Sequence, residues 1–383
     1  MSSAPPPGQS ALRRELPTPL RAALVLVLLY LFLVGVSLLE DGIAGLGDGF
    51  QSGLLENVAN PLSGLFAGIL FTVLVQSSSV STATIVGLVG SGTLSVELAV
   101  PMIMGANIGT TITNTLASLG AIRRSEEFRR GFAAATMHDF FNVFAVAVLL
   151  PLELLTGFLS ESAEWLTGKL RGGNVTELGA SPVKRAVDVP VSAIESFLDV
   201  SPVGGRFIAL SLLIAGLGFI FLALSQITKN MRQLVAGSVE RAMNRIIGRG
   251  GGAVGIIVGI AVTIAVQSSS ITTSILVPLV AAGVLTLPNA YPITLGANVG
   301  TTVTALIASL AVLRPEGLTI ALVHTLFNLS ALALVYPIAS VRLLPVRAAE
   351  YLAGQAVAHR SLVLVYVLGL FIVVPLLGVF LIP

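Results

Sequence analysis

Apolar runs close to the ~20 residues needed to cross a bilayer recur along most of this chain, separated by shorter polar loops. The runs 22–39, 206–227 and 361–382 are the clearest. The pattern predicts an all-α membrane protein with several spans. The polar residues inside the apolar stretches are not scattered. They gather in a few short blocks, and those blocks recur.

Gln76 opens QSSSVSTATIVGLVGSG and Gln267 opens QSSSITTSILVPLVAAG, with nine of seventeen positions identical. Gly105 opens GANIGTTITNTLASL and Gly296 opens GANVGTTVTALIASL, with ten of fifteen identical. Both pairs are offset by 191 residues. A third pair, MHDFFN from Met137 and VHTLFN from Val323, keeps His, Phe and Asn at an offset of 186. Three blocks in one order mean an internal duplication.

The distribution of Lys and Arg between loops orients the copies. Arg13, Arg14 and Arg21 place the N-terminus in the cytoplasm, and the acidic stretch 40–50 faces out. The basic loop around Arg123, Arg124, Arg129 and Arg130 faces in. The acid-rich stretch 158–205 faces out, and the run Lys229, Arg232, Arg241, Arg245 and Arg249 is cytoplasmic. The first copy therefore starts from outside and the second from inside, whether each QSSS segment forms a hairpin or two full spans. That is an inverted-topology repeat, the architecture of secondary transporters with a site near the midplane. The chain divides into a disordered cytoplasmic tail (1–20), a retained anchor span with repeat 1 (21–157), and a polar extracytoplasmic insert (158–205). A connecting span with a basic cytoplasmic loop (206–249), repeat 2 (250–340), and a C-terminal loop and span (341–383) complete it.

Composition narrows the function classes. Only 10% of the residues are charged, and the mean hydropathy is +0.95. A soluble domain carries roughly 25% charged residues. The lipid bilayer is thus the surrounding medium, and the location is the cytoplasmic (inner) membrane, multi-pass. The net charge of +2 argues against nucleic acid as a partner. The absence of cysteine removes disulfides, thiolate metal sites and cysteine nucleophiles.

The first QSSS segment sets Gln76, Ser77, Ser78, Ser79, Ser81, Thr82 and Thr84 in an apolar run. The second sets Gln267, Ser268, Ser269, Ser270, Thr272, Thr273 and Ser274 there. Seven polar side chains in nine residues exceed what helix–helix contacts require. Buried, they need partners in the protein or in a ligand. The second motif adds Asn107, Thr110 and Thr111, with Asn298, Thr301 and Thr302 in the other copy. Its paired glycines (Gly105 and Gly109, Gly296 and Gly300) predict a helix break at mid-depth. The competing reading is close packing through Gly-x-x-x-Gly. Half-helix N-termini attract anions, and unwound carbonyls attract cations.

Charge is absent where the motifs lie: no Lys or Arg occurs between Arg21 and Arg123 or between Arg249 and Arg314. An anion bound here meets backbone N–H groups, hydroxyls, helix N-termini and co-bound cations. A cation meets neutral oxygens, which suits Na⁺ better than a proton, since proton carriers need titratable groups. Two ligands of opposite sign in one neutral cavity amount to symport. The predicted set is Gln76, Ser77, Ser78, Ser79, Asn107, Thr110, Thr111, Gln267, Ser268, Ser269, Ser270, Asn298, Thr301 and Thr302. Sodium would be held by the same hydroxyls and nearby carbonyls, with no other cofactor. His138 with Asp139 reads as a proton relay or a pH-sensitive gate, or, like His324, as a structural histidine. Asp139 becomes Thr325 in the second copy, so its role is one-sided.

At these residues the chain resembles the type II sodium-phosphate cotransporter family, over roughly 54–159 and 206–330. The resemblance implies Na⁺-driven uptake of inorganic phosphate, QSSS segments on re-entrant hairpins, and a site shared by both copies. It further implies that the polar insert matches the family's outer loop, here short and without its cysteines. Other readings are a sodium-coupled carrier of sulfate or a carboxylate, a passive channel, and an intramembrane serine hydrolase using His138. The last lacks the G-x-S-x-G elbow such enzymes use.

Overall fold

The structure, a computed structural model, describes residues 17–47, 49, 60–170, 182–199, 204–247 and 252–382. The predicted tail up to residue 16, and the insert residues 171–181, lie outside the described residues. So do Arg249 and the side chains of Arg232, Arg241 and Arg245.

Every element among the described residues is helical. Helix α1 (Thr18–Gly45) precedes α2 (Pro61–Val75), α3 (Ser78–Gly90), α4 (Val96–Gly109) and the short α5 (Ile112–Ser118). Helix α6 (Ser125–Thr156) leads into α7 (Phe158–Leu170) and α8 (Pro182–Asp199) in the insert, then α9 (Gly205–Ile247). The second copy holds α10 (Gly252–Val266), α11 (Ser269–Ala281), α12 (Leu287–Ala308) and α13 (Pro315–Val335). Helices α14 (Ala339–Arg342), α15 (Leu344–Ala358), α16 (Ser361–Leu368) and α17 (Val374–Leu381) end the chain, with one π turn between the last two.

Six of these helical stretches are long and apolar enough to span a membrane. Helices α2, α3, α10 and α11 are apolar but shorter. At ~1.5 Å per residue each reaches only ~20 Å, against ~30 Å of hydrocarbon. Helix α9 continues well past its apolar part, so the stretch read as a basic loop is helical to Ile247. The tract after Met231 contains no proline and is rich in strong helix formers, so nothing ends the helix at the membrane edge.

The duplication is visible in the packing. Helix α2 lies on α4 where Gly68 meets the carbonyl of Met102 and Gly105 meets that of Leu65. Helix α10 lies on α12 where Gly259 meets the carbonyl of Ile293 and Gly296 meets that of Ile256. A Cβ at any of the four would fall on backbone oxygen, so glycine is required for contact. This corrects the expected helix break in the second copy. The second copy runs unbroken from Leu287 to Ala308, and its Gly296 and Gly300 serve close packing. In the first copy the helix does stop, but at Thr110–Thr111. There Thr110 Oγ1 donates to the Ala106 carbonyl (2.8 Å) and Thr111 N turns to Ile108 O (3.2 Å). The matching Thr301 hydroxyl makes no such bond, and the helix continues.

Candidate functional site

The sharpest backbone feature lies in the QSSS segments. Gln76 and Gln267 both have φ 56°, the two non-glycine residues in the left-handed region among the described residues. Each closes one helix and turns the chain into the next. Gln76 N donates to Thr72 O (2.8 Å) and Gln267 N to Thr263 O (2.7 Å). The amide group then secures the turn: Nε2 donates to Val73 O (2.6 Å) in one copy and to Ile264 O (2.7 Å) in the other. The amide oxygens accept from Thr113 (3.4 Å) and Thr304 (3.0 Å).

The following serines begin the next helix. Ser77 is extended, and its hydroxyl caps Val80 N (3.3 Å); Ser268 caps Ile271 N (3.4 Å). Helices α3 and α11 thus each present an N-terminus, with its partial positive charge, at the tip of the glutamine turn. The tips are neighbours, since Ser79 Oγ donates to the Gln267 carbonyl (3.3 Å). They are not equivalent in access: Gln76 is exposed, while Gln267 is 8% exposed.

A separate buried layer joins amides and a histidine from both copies. Asn107 Nδ2 donates to Ile103 O (2.9 Å), and Asn142 Nδ2 donates to Asn107 O (2.7 Å). Asn298 Nδ2 donates to Asn142 Oδ1 (2.6 Å), and Asn298 Oδ1 lies 2.6 Å from His138 Nε2. Asn328 Nδ2 reaches Asn107 Oδ1 (3.3 Å). Helices α4, α6, α12 and α13 meet in this layer.

Most of the predicted residues are brought together at the tips or in this layer. Ser78, Ser79, Asn107, Ser269 and Asn298 are buried there, and Ser270 is half-buried. Thr110, Thr111 and Thr302 are also buried, but their hydroxyls bond carbonyls of their own helices. Ser269 Oγ, Thr301 Oγ1, both ring nitrogens of His324 and Asn328 Oδ1 are buried without a protein partner. Buried polar atoms of this kind ordinarily have one.

The histidine and aspartate of the third block separate. His138 bonds Asn298, while Asp139 turns to the hydroxyls of Thr115 (3.2 Å) and Tyr366 (2.7 Å). His138 Nε2 is committed to an amide and is not paired with a QSSS serine, the geometry a serine hydrolase needs. No cluster of three metal-ligating His, Asp or Glu side chains occurs among the described residues. Sequence reading missed Thr113, Thr304, Asn114 and Tyr366. The first three lie inside the repeated block, where their partners are 37 to 160 residues away. Tyr366 sits in a terminal helix that carries no motif.

Two neighbouring helix N-termini, with neutral oxygens around them, suit an oxyanion with its counter-cations. The sequence model of the Na⁺/Pi-cotransporter family matches residues 31–163 and 219–370. The chain belongs to the Na⁺/Pi-cotransporter family. The unmatched stretch between those segments contains most of the polar insert. The chain is 34% identical to sodium-dependent phosphate transport protein 2A of Ovis aries, over 97% of this chain and 69% of that protein. It is 32% identical to sodium-dependent phosphate transport protein 2B of Homo sapiens, over 93% of this chain and 64% of that protein. No solved structure matches. These relatives are transport proteins and not enzymes, and the chain is a multi-pass membrane protein.

Proposed function

We propose that this protein carries inorganic phosphate into the cell together with sodium ions, by alternating access across the cytoplasmic membrane. The observation that carries the reading is the meeting of the two hairpin tips, Ser79 Oγ on the Gln267 carbonyl, in a region whose motifs supply no basic side chain. Phosphate binds between the N-termini of α3 and α11, with Gln76, Ser77, Ser78 and Ser79 on one side and Gln267, Ser268, Ser269 and Ser270 on the other. Sodium takes hydroxyl, amide and carbonyl oxygens next to it, from Asn107, Thr110, Thr111, Asn298, Thr301 and Thr302 as well. Dehydrated Na⁺ needs neutral oxygens, and the anion's charge is met by Na⁺ and the helix dipoles.

The two copies have opposite topology in this reading, and the QSSS hairpins are re-entrant. Contacts between distant segments support it, because they join segments assigned to one side. On the outer side Lys184 reaches Ser37 (2.6 Å), Thr167 meets Thr319 (2.9 Å), and Arg314 covers Gly92. On the inner side Arg130 donates to Ala281 O (3.1 Å) and Arg360 to Ser125 (3.1 Å). The unequal access of Gln76 and Gln267 fits a carrier standing in one of two facing states.

Uptake of labelled phosphate into proteoliposomes, with inward sodium, potassium or proton gradients, tests the function. Sodium alone should drive accumulation, and excess sulfate should not compete. Equal uptake in choline buffer would overturn the symport reading.

A further inference from the structure

Asn114, on the short helix α5, is buried, and both its amide nitrogen and its amide oxygen bond the second copy. Its Nδ2 donates to Thr273 Oγ1 (2.8 Å), and its Oδ1 accepts from Ser274 Oγ (3.0 Å). The Thr273 hydroxyl in turn donates to the Ser269 carbonyl (2.8 Å), inside the second QSSS motif. On the same helix Thr113 donates to Gln76 Oε1 at the tip of the first hairpin (3.4 Å). One short helix therefore touches both hairpins.

The arrangement is one-sided. At the offset of 191 residues, Asn114 corresponds to Ala305 and Ser274 to Ala83, while Thr273 keeps its match in Thr82. The related contact, α12 against α3, has alanine at both of those places and forms no such tie. The backbone differs as well: the helical hydrogen-bond ladder is interrupted between α4 and α5 at Thr110–Thr111, both still at right-handed helical angles, whereas the second copy is continuous there.

We propose that Asn114 is a positioning residue of the transport site. Through Thr273 and Ser274 it sets the second hairpin against the first copy and favours the facing state seen here, in which Gln76 is open and Gln267 is covered. This rests on the two-state transport reading above. Asn114 acts through the motif and does not touch the ligand.

The chain itself indicates which substitutions the fold accepts, because its other half has alanine at both places. In the naturally cysteine-free protein, spin labels on Ala117→Cys in α5 and Ala282→Cys after α11, both exposed positions, report the separation of the two elements. The native side chains should give one narrow distance distribution. Asn114→Ala should broaden or shift it and raise the KM for phosphate about tenfold, as expected when the ordering of a site is lost. Ser274→Ala should act in the same direction. The double variant should be no worse than Asn114→Ala alone, because the contact that Ser274→Ala removes is among those already lost with Asn114. If Asn114→Ala does not fold, Ser274→Ala, which removes a single hydroxyl, carries the same test. Unchanged distances and KM, or fully additive effects, would overturn the proposal. Failure of the transport reading would show instead in the native protein, as uptake indifferent to sodium.

Discussion

His138 Nε2 lies 2.6 Å from Asn298 Oδ1, a short hydrogen bond that ties the third block of the first repeat to the second block of the other. The same amide donates its Nδ2 to Asn142, so Asn298 satisfies two buried groups of the opposite copy. Asn298→Ala leaves both without a partner, at about 1–3 kcal/mol each. The expected outcome is a lower thermal midpoint together with at least a tenfold loss of phosphate uptake. Asn298→Asp should recover the contact to His138 but not the donation to Asn142, and therefore only part of the stability. Thermal unfolding in detergent beside proteoliposome uptake checks both; a variant with native uptake and midpoint would reduce this layer to packing.

Gln76 and Gln267 combine a left-handed backbone with an amide that closes the turn, and the two parts separate by mutation. Alanine at either place keeps the unfavourable φ, costing about 1–2 kcal/mol, and removes the amide bonds. Glycine relaxes the backbone and still lacks the amide. We expect all four variants to reach the membrane and none to transport, with the glycine forms the more stable. Surface expression and uptake measured together decide it. Substantial transport by Gln76→Gly or Gln267→Gly would mean that the turn, and not the amide, is what the motif provides.

How much of this could be read from the chain depended on whether a feature was local. The QSSS polar runs stand out because hydroxyls in an apolar stretch are locally anomalous, and the fixed offset pairs the copies without any structure. The break expected at the glycines of the second motif is missing from the second copy for a related reason. Gly105 and Gly296 look like helix breakers, yet each sits where a neighbouring carbonyl, of Leu65 or Ile256, comes too close for a Cβ. The turn at each QSSS segment falls on glutamine, whose left-handed backbone carries no sequence signature of positive φ. Asn114 and Tyr366 were invisible because their partners come from distant segments, 159 and 227 residues away.

Opposite topology of the two copies is open to direct labelling. Glu97→Cys, beside the turn after the first hairpin, and Ala282→Cys, at the corresponding turn of the second, are both exposed. A membrane-impermeant maleimide should modify the first in intact cells and the second only after permeabilisation. Labelling of both from one side would show parallel copies, and the two-state scheme built on the inverted repeat would fall with it.

Sodium and phosphate should bind cooperatively, each raising the affinity for the other by the same factor. The motifs contain no Lys or Arg, so the oxyanion's charge must be balanced by nearby Na⁺ and by the N-termini of α3 and α11. Opposite unit charges ~4 Å apart attract by about 4 kcal/mol at an effective dielectric near 20, before desolvation. A third of that, about 1.4 kcal/mol, is already a tenfold coupling. Linkage makes it reciprocal: the phosphate Kd should fall with rising sodium by the factor by which the sodium Kd falls with rising phosphate. Equilibrium binding of labelled phosphate at several fixed sodium concentrations, and the converse titration, measure the two factors independently. The coupling should survive substitution of Arg129 or Arg314, which lie at the ends of the helices, and weaken when Ser78 or Ser269 is replaced by valine. A phosphate affinity indifferent to sodium would require a basic side chain within reach of the hairpin tips, and the neutral site described here would be wrong.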